Sequence, residues 1–460
     1  MRRREFLLAA GASMLAPQAK CAVEKPTNGG FYSRTLRVEH DVDVFVAGGG
    51  PAGVCAAIAA ARAGRSVFLA ETTGAFGGAA TASYVPAFAT FSDGARPVVG
   101  GIGMEIRCQI SKTIPLDAYW TPIDVEELKR VYDSMMVESG IGFSFFTSVC
   151  DVIAKDGRVE RVVLSSKRGL FEVCAKVFVD CTGDGDLVAF AGGAFEKGDE
   201  SGEVMPGTLC SQWCDIDFNK PNPHAQTLLP KAIQDGVFSV PDLHLPGFFR
   251  DPRKGSSLGL GNIGHAFGVD PTDERSLTRA MIDARRRLPE YERFYKNYLQ
   301  GYDTMHLAST APCLGVRESR RVTCDYTLTV EDFVKRAQFD DQIGRYCYPV
   351  DLHISNPGDR KAFDAFMKEY DRDLKYKRGE SYGIPYRSLV AKSFSNVLVA
   401  GRCLGADRKM QASVRVMPGC FITGQAAGTA AALSIAASGD VRRVKTGELR
   451  ESLKNAKVVL

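Results

Sequence analysis

Two groups of residues in this sequence have types and spacings suited to chemistry. The first is Gly48-x-Gly50-x-x-Gly53, with Glu71 following 21 residues after Gly50. In that spacing Gly48 makes a tight turn, Gly50 lets the backbone approach a pyrophosphate, and Gly53 lets a helix pack close on a strand. The phosphates would sit on the N-terminus of the helix that Pro51 and Ala52 open, where free N–H groups and the dipole favour an anion. Glu71 is placed to take the ribose hydroxyls of an adenosine, and an unphosphorylated ribose is the better fit. The second group is dispersed: His265, His306, Tyr346, Tyr348, Asp351 and His353 can take or give a proton, and Arg317, Arg320, Arg402 and Arg415 can hold an anion. Each also has a plainer reading. Polar residues beside a domain boundary commonly just hydrogen-bond, and Arg317, Glu318, Arg320 and Arg321 can form an internal ion network.

The glycines need a strand before them and a helix behind them. Val42 to Ala47 is an apolar run too short for a helix, Val54 to Arg62 is alanine-rich, and Val67 to Ala70 is apolar again, which together read as strand, turn, helix, strand. Gly259-x-Gly261-x-x-Gly264 matches the same pattern but lacks this setting. Asp251 to Ser257 before it is no buried strand, and no alanine-rich helix with a second strand follows, so only the first fingerprint is read as a nucleotide site.

The chain has 460 residues, 45% of them apolar and 24% charged, a globular composition that can bury a large core and leads to an expectation of two domains. A net charge of +4 without long basic runs implies neither nucleic acid nor an anionic membrane surface as partner. No transmembrane segment is expected after the first twenty residues. Residues 1–20, with Arg2-Arg3-Arg4 before a small apolar run, read as a twin-arginine export signal, which predicts a periplasmic or extracellular destination. The thirteen cysteines include no C-x-x-C pair, so an iron–sulfur cluster, a zinc ribbon and a metal centre are not expected. Cys55, Cys174 and Cys181 read as packing residues.

Further along, Thr72 to Thr81, with Gly77, Gly78 and Ala79, is a loop of small residues able to lie against a flat ligand. A helix is predicted over Asp124 to Ser139, then a strand to Val149, then an antiparallel meander over 152–174. Lys176 to Asp180 returns as a strand that ends in Thr182-Gly183-Asp184-Gly185. Asn396 to Ala400 is another strand running into Gly401 and Arg402, and after Ser413-Val-Arg415 comes the small-residue helix containing Gly424, Gln425 and Ala427.

This arrangement resembles the glutathione-reductase-type FAD fold, and within it the bacterial FAD-dependent oxidoreductases. Gly315-Val-Arg317-Glu318-Ser-Arg320-Arg321 and Ile384-Pro-Tyr386-Arg387 resemble the intermediate motifs of that group, so the likeness spans nearly the whole chain after the signal. It implies an α/β fold: a Rossmann-like FAD-binding domain, parallel sheet plus meander, split by an inserted mixed α+β substrate or cap domain. The expected boundaries are 1–37 signal and linker, 38–198 and 384–440 the two FAD-binding parts, 199–383 the cap, and 441–460 a C-terminal tail. Val149 and the small residues of the late helix are then expected at the cofactor, with that helix's backbone against the isoalloxazine and its N-terminus at the flavin N1–C2 carbonyl region. The sequence departs from the group at Asp407-Arg408-Lys409, where a threonine–histidine pair is expected.

The resemblance implies hydride transfer at flavin N5 to or from a small, hydroxylated or anionic substrate. His353, His306 and His265 are the proton candidates and Arg317, Arg402 and Arg415 the anion candidates. With one dinucleotide fingerprint, no separate NAD(P)H domain is expected. The electron acceptor, oxygen, a quinone or a redox protein, stays open. Two alternatives remain at this point: FAD used without net redox in group transfer or elimination on a sugar-like compound, and a secreted binding protein derived from a flavoenzyme.

Overall fold

The computed structural model describes residues 33–460, apart from 112 and 246. The expected export signal lies outside the described residues.

Strand β1 (Val38–Ala47) runs into the glycine turn and helix α1 (Pro51–Arg62), and β2 (Val67–Ala70) returns parallel to β1 with Val44 opposite Val67 and Ala47 opposite Ala70. The short β3 (Ala87–Phe88) pairs with β4 (Thr121–Pro122) on either side of α2 (Gly101–Ile110). Helix α3 (Val125–Glu138) starts where the Asp124 carboxylate accepts from the N–H groups of Glu126 and Glu127, and it buries one face formed by Val125, Leu128, Val131, Tyr132, Met135 and Met136. The strand expected to reach Val149 is broken: β5 (Gly142–Ser144) ends before Phe146, which takes a φ of 53°, and β6 (Ser148–Lys155) begins a different edge of the sheet. Strands β6, β7 (Arg158–Ser166) and β8 (Gly169–Asp180) form the meander, turned at Asp156-Gly157 with both φ values positive.

Strand β8 joins the two halves of the sheet. It is antiparallel to β7 and parallel to β1, with Ala47 opposite Asp180, in the order β5-β2-β1-β8-β7-β6. Val44 to Ala47 and Val177 to Asp180 are fully buried, the two-sided burial typical of a parallel sheet.

The chain then passes through α4 (Asp186–Phe190), β9 (Phe195–Lys197), β10 (Gly207–Thr208), β11 (Ser211–Cys214), α5 (Ala225–Gln234), β12 (Gly247–Arg250), β13 (Gly259–Asn262) and β14 (His265–Ala266). Helix α6 (Glu274–Tyr298) follows, then β15 (His306–Thr310), β16 (Arg320–Val322), α7 (Val330–Lys335), β17 (Gln342–Tyr346), α8 (Arg360–Asp373) and β18 (Tyr382–Pro385). Strands β12-β13-β11-β15 form a separate antiparallel sheet, so the second glycine match, Gly259 to Gly264, begins on an internal strand of that sheet. The single 25-residue α6 runs through Pro289. An internal proline costs about 3 kcal/mol of helix stability, and the burial of Leu288, Tyr291, Phe294 and Tyr295 on both sides of it against Trp213 and Leu229 offsets that cost.

Strand β19 (Val397–Val399) adds parallel to β8, Val399 opposite Asp180, and α9 (Arg408–Val414) leads into α10 (Met417–Ser434). Helix α10 packs along α1. A Cβ built on Gly424 would fall on the Ala52 carbonyl, and one on Gly428 on the Ala56 carbonyl, so only glycine permits this approach. With its last turn, Met417–Ala437 is long and apolar enough to cross a membrane, but 72% of its apolar window is buried inside this protein, as a core helix requires. The last twenty residues include α11 (Thr446–Asn455), which buries Leu449 and Leu453.

Candidate active site

A cavity of about 970 Å³ opens between the C-terminal ends of the parallel strands and the segment that follows β8. Crevices at the carboxyl ends of parallel strands are where open α/β sheets bind ligands. Gly48, Gly50, Pro51 and Ala52 line it from the first turn, Glu71 and Thr72 from the end of β2, and Gly78 and Ala79 from the loop beyond. Val149, Thr182, Gly183, Asp184, Gly401 and Arg402 close the same side.

The local geometry suits a dinucleotide. Gly48 has a φ of 92°, and a Cβ there would meet the Cys181 carbonyl oxygen at 2.6 Å. A Cβ on Gly50 would meet nothing within 4 Å, so the turn is open on the cavity side. Helix α1 has Pro51 in its first turn and no side-chain cap, which leaves its terminal N–H groups for a ligand. Glu71 Oε2 accepts from Gly49 N at 2.7 Å and Oε1 from Thr73 N at 2.7 Å, which fixes the carboxylate at the cavity edge. Helix α10 is also without a side-chain cap, and Val416, Met417 and Cys420 place its N-terminus on the cavity.

Other expected cofactor residues stand behind this wall. Gly53 packs α1 on the turn, because a Cβ there would fall on the Gly48 carbonyl. Gly77 and Thr81 shape the loop, with Gly77 N donating to Gly49 O and the Thr81 hydroxyl to Phe76 O. Gly185 starts α4 with a φ of 67°. Gly424 and Ala427 are buried in α10 away from the cavity, and Gln425 accepts from Ile102 N at 2.9 Å at the start of α2. The expectation that these small residues bring the α10 backbone against the isoalloxazine is therefore corrected: they serve the packing of α10 on α1, and only the first turn of α10 reaches the cavity.

The proton and anion candidates separate just as clearly. His306 is exposed on β15 beside Asp215 and does not line the cavity, which removes it as a candidate there. Tyr346 is fully buried behind the wall. Tyr348, Asp351 and His353 line the cavity, and His265 stands directly behind His353. Arg320 pairs with Asp186 at 2.7 Å. Arg402 lines the cavity, but each of its three nitrogens already has a partner, Nε donating to Gly183 O, Nη1 to Val316 O and Nη2 to Asp184 Oδ1, so it clamps the loops around the cavity. Arg317 donates to Pro206 O, Thr208 Oγ1 and Asn262 Oδ1, and burial followed by the nearby Arg415 lowers it to about 10. Arg415 keeps the most donor capacity: Nη2 reaches Asp351 O at 3.1 Å, and its buried Nε has no partner.

The structure adds residues the sequence reading passed over. Tyr119 and Trp120 form an edge-to-face pair at the cavity mouth, and Trp120 also meets Tyr348. Cys210 and Asn262 line the cavity; burial pushes the Cys210 thiol up to about 12, so it is no nucleophile. His244 stacks on His353 with ring centroids 4.8 Å apart, and Asp242 holds His265. One signal was available: Asp242-Leu243-His244 and Asp351-Leu352-His353 are the same tripeptide, and the fold brings both to one place. The twelve described cysteines are all unpaired.

A model of the FAD dependent oxidoreductase family matches residues 43–453. Thiamine thiazole synthase from Methanococcus aeolicus is 26% identical over 230 residues, 47% of this chain and 84% of that protein. Among solved structures, a geranylgeranyl bacteriochlorophyll reductase-like protein from Thermoplasma acidophilum is 12% identical with a TM-score of 0.45, covering 90% of this chain and 84% of that one. The p-nitrophenol 4-monooxygenase of Pseudomonas putida is 13% identical with a TM-score of 0.43, covering 91% and 85%.

Proposed function

The chain belongs to the FAD dependent oxidoreductase family and uses FAD, and from that premise we propose that it oxidises a small hydroxylated or anionic molecule in the cavity described above. The observation that carries this reading is the convergence on one cavity of two uncapped helix N-termini, the partly free Arg415 and the pair Asp351 and His353. When bound, FAD would supply a two-electron acceptor for a hydride from a substrate carbon. The glycine turn and α1 would hold the pyrophosphate, Glu71 the adenosine ribose, and the first turn of α10 the flavin, where its N–H groups would favour negative charge.

Arg415 orients the substrate by an oxygen, and its partner Asp351 fixes the guanidinium. Tyr119 and Trp120 offer an aromatic face to a ring and exclude water from one side of it. With one dinucleotide fingerprint, the electrons leave to oxygen, a quinone or a redox protein instead of a bound nicotinamide. The twin arginines near the N-terminus support export to the periplasm by the route that carries folded, cofactor-loaded proteins.

Anaerobic titration of the FAD-loaded protein with pools of polyols, sugars and hydroxy acids tests the reading: one pool should bleach the flavin absorption, and failure of every pool would overturn it. For the compound found, Arg415→Ala should raise KM about 10- to 100-fold, the loss of one or two hydrogen bonds to a charged group. Steady-state kinetics of Arg415→Lys, which keeps the charge without the fork, should fall between the variant and the native enzyme.

A further inference from the structure

Three buried groups, Asp242, His265 and His353, and the partly exposed Asp351 form a chain that ends at the flavin cavity. His265 Nδ1 lies 2.9 Å from Asp242 Oδ1, His265 Nε2 lies 2.8 Å from His353 Nδ1, and His353 Nε2 lies 3.3 Å from Asp351 Oδ2. His265 and His353 are 2% and 3% exposed. Asp242 and His265 face a second cavity of about 480 Å³, and His353 faces the first.

The protons in this chain can be assigned by counting. The Asp242 carboxylate also accepts from the backbone N–H groups of His244 at 3.2 Å and His265 at 3.1 Å. Burial raises its pKa, but His265 and these donors together hold it below the ordinary value, so it is ionised and can only accept. His265 Nδ1 therefore carries a hydrogen, and with one proton on each imidazole His265 offers a lone pair at Nε2. The 2.8 Å contact then requires the hydrogen on His353 Nδ1, which leaves His353 Nε2 bare. Three links need three protons and two neutral imidazoles bring two. The missing proton falls at the longest link, between His353 and Asp351, both of which line the flavin cavity.

We propose that His353 Nε2 is the base that takes the substrate's hydroxyl proton, and that Asp242 and His265 are positioning residues that fix its tautomer and share the arriving charge. The O–H bond breaks, its electron pair stays on the substrate oxygen, and an N–H bond forms at His353 Nε2. The new proton completes the third link, donating to Asp351. His353 Nδ1–H can then pass toward His265 Nε2, with the positive charge held between two carboxylates, Asp242 and Asp351. The inference rests on the oxidoreductase reading above.

The surroundings agree with a free base at rest. Burial, followed by the Arg317 guanidinium, holds the His353 imidazolium well below the usual histidine range, against the pull of Asp351. Burial lowers His244, stacked on it, to about 4. Arg415 faces Asp351 from the other side. One ring nitrogen from each of His244, His265 and His353 lies within 4.8 Å of the other two, near enough to share a metal ion, so the test includes Zn²⁺.

The test uses the FAD-loaded enzyme with 15N-labelled histidine and long-range 1H–15N spectra at pH 7. His353 should show a protonated Nδ1 and a bare Nε2. In Asp242→Asn, whose amide can donate to His265 Nδ1, both tautomers should reverse, protonating Nε2 and closing the base. Flavin bleaching by the substrate found above should slow about 10- to 100-fold with KM little changed. An unaltered flavin absorption spectrum would show that this variant has folded, and His265→Gln provides a second one.

A protonated Nε2 in the native enzyme would overturn the proposal, as would reversed tautomers with an unchanged bleaching rate. Stoichiometric binding of Zn²⁺ that displaces the bridging hydrogen would also overturn it, in favour of a metal site. If the tautomers hold and no compound bleaches the flavin, the oxidoreductase reading falls and the tautomer assignment stands.

Discussion

Gly424→Val is expected to destabilise the protein by about 3 kcal/mol or more, the upper end of what overpacking costs. A Cβ at position 424 would lie 2.7 Å from both the carbonyl carbon and the Cα of Ala52 and closer still to the carbonyl oxygen. Every atom it meets is backbone, so no rotamer change relieves the clash and α10 must move off α1. Gly428 stands one turn further along in the same relation to Ala56, so the helix cannot pivot about that point. Gly50→Ala provides the contrast. Gly50 has an ordinary φ of −67° and open space where its Cβ would go, but that space belongs to the cavity. The alanine variant should fold with nearly native stability and lose FAD. Thermal unfolding with and without added FAD separates the two outcomes: Gly424→Val lowers Tm in both conditions, whereas Gly50→Ala abolishes only the stabilisation by FAD.

The contrast between these glycines also shows what the sequence could tell. The βαβ start, the returning β8 and the late β19 and α10 were legible because each is a local pattern: a Val-rich run, a glycine turn, an alanine-rich stretch. Small residues on α10 signalled close approach but not what is approached, and the partner turned out to be α1. The single helix α6 was hidden by Pro289, whose local penalty is outweighed by long-range contacts of Tyr291 and Phe294. The cavity side chains past β8 were the least legible. Asp242 and His244 come from a stretch without periodicity, Tyr119 and Trp120 from a loop, and no local rule says that residues 109 positions apart, such as His244 and His353, will stack. Only the repeated Asp-Leu-His hinted at it.

The second large effect is expected at Glu318, which is fully buried. Its Oε1 accepts from Arg321 Nη1 at 2.6 Å, its Oε2 from Arg408 Nε at 3.0 Å and from Met205 N at 2.8 Å. Glu318→Ala would leave the Arg321 guanidinium, 5% exposed, with only Gly198 O and the more distant, exposed Glu196 for company. Removing one partner of a buried pair typically costs about 3–5 kcal/mol, because the other charge stays in place without compensation. Arg408→Ala should cost less, since its side chain is 20% exposed and Glu318 keeps Arg321. Chemical denaturation of the two variants checks the order, and replacing Glu318 and Arg321 together by apolar residues should recover part of the loss. This network also accounts for Arg408 in the place of an expected histidine. The Arg408 guanidinium turns to Glu318 and donates to Ser355 Oγ at 3.0 Å, two residues beyond His353. It therefore inherits no proton chemistry and instead braces the segment that carries His353. Variants at Glu318 should accordingly lose stability first, and they should lose turnover only insofar as the 351–355 segment loosens.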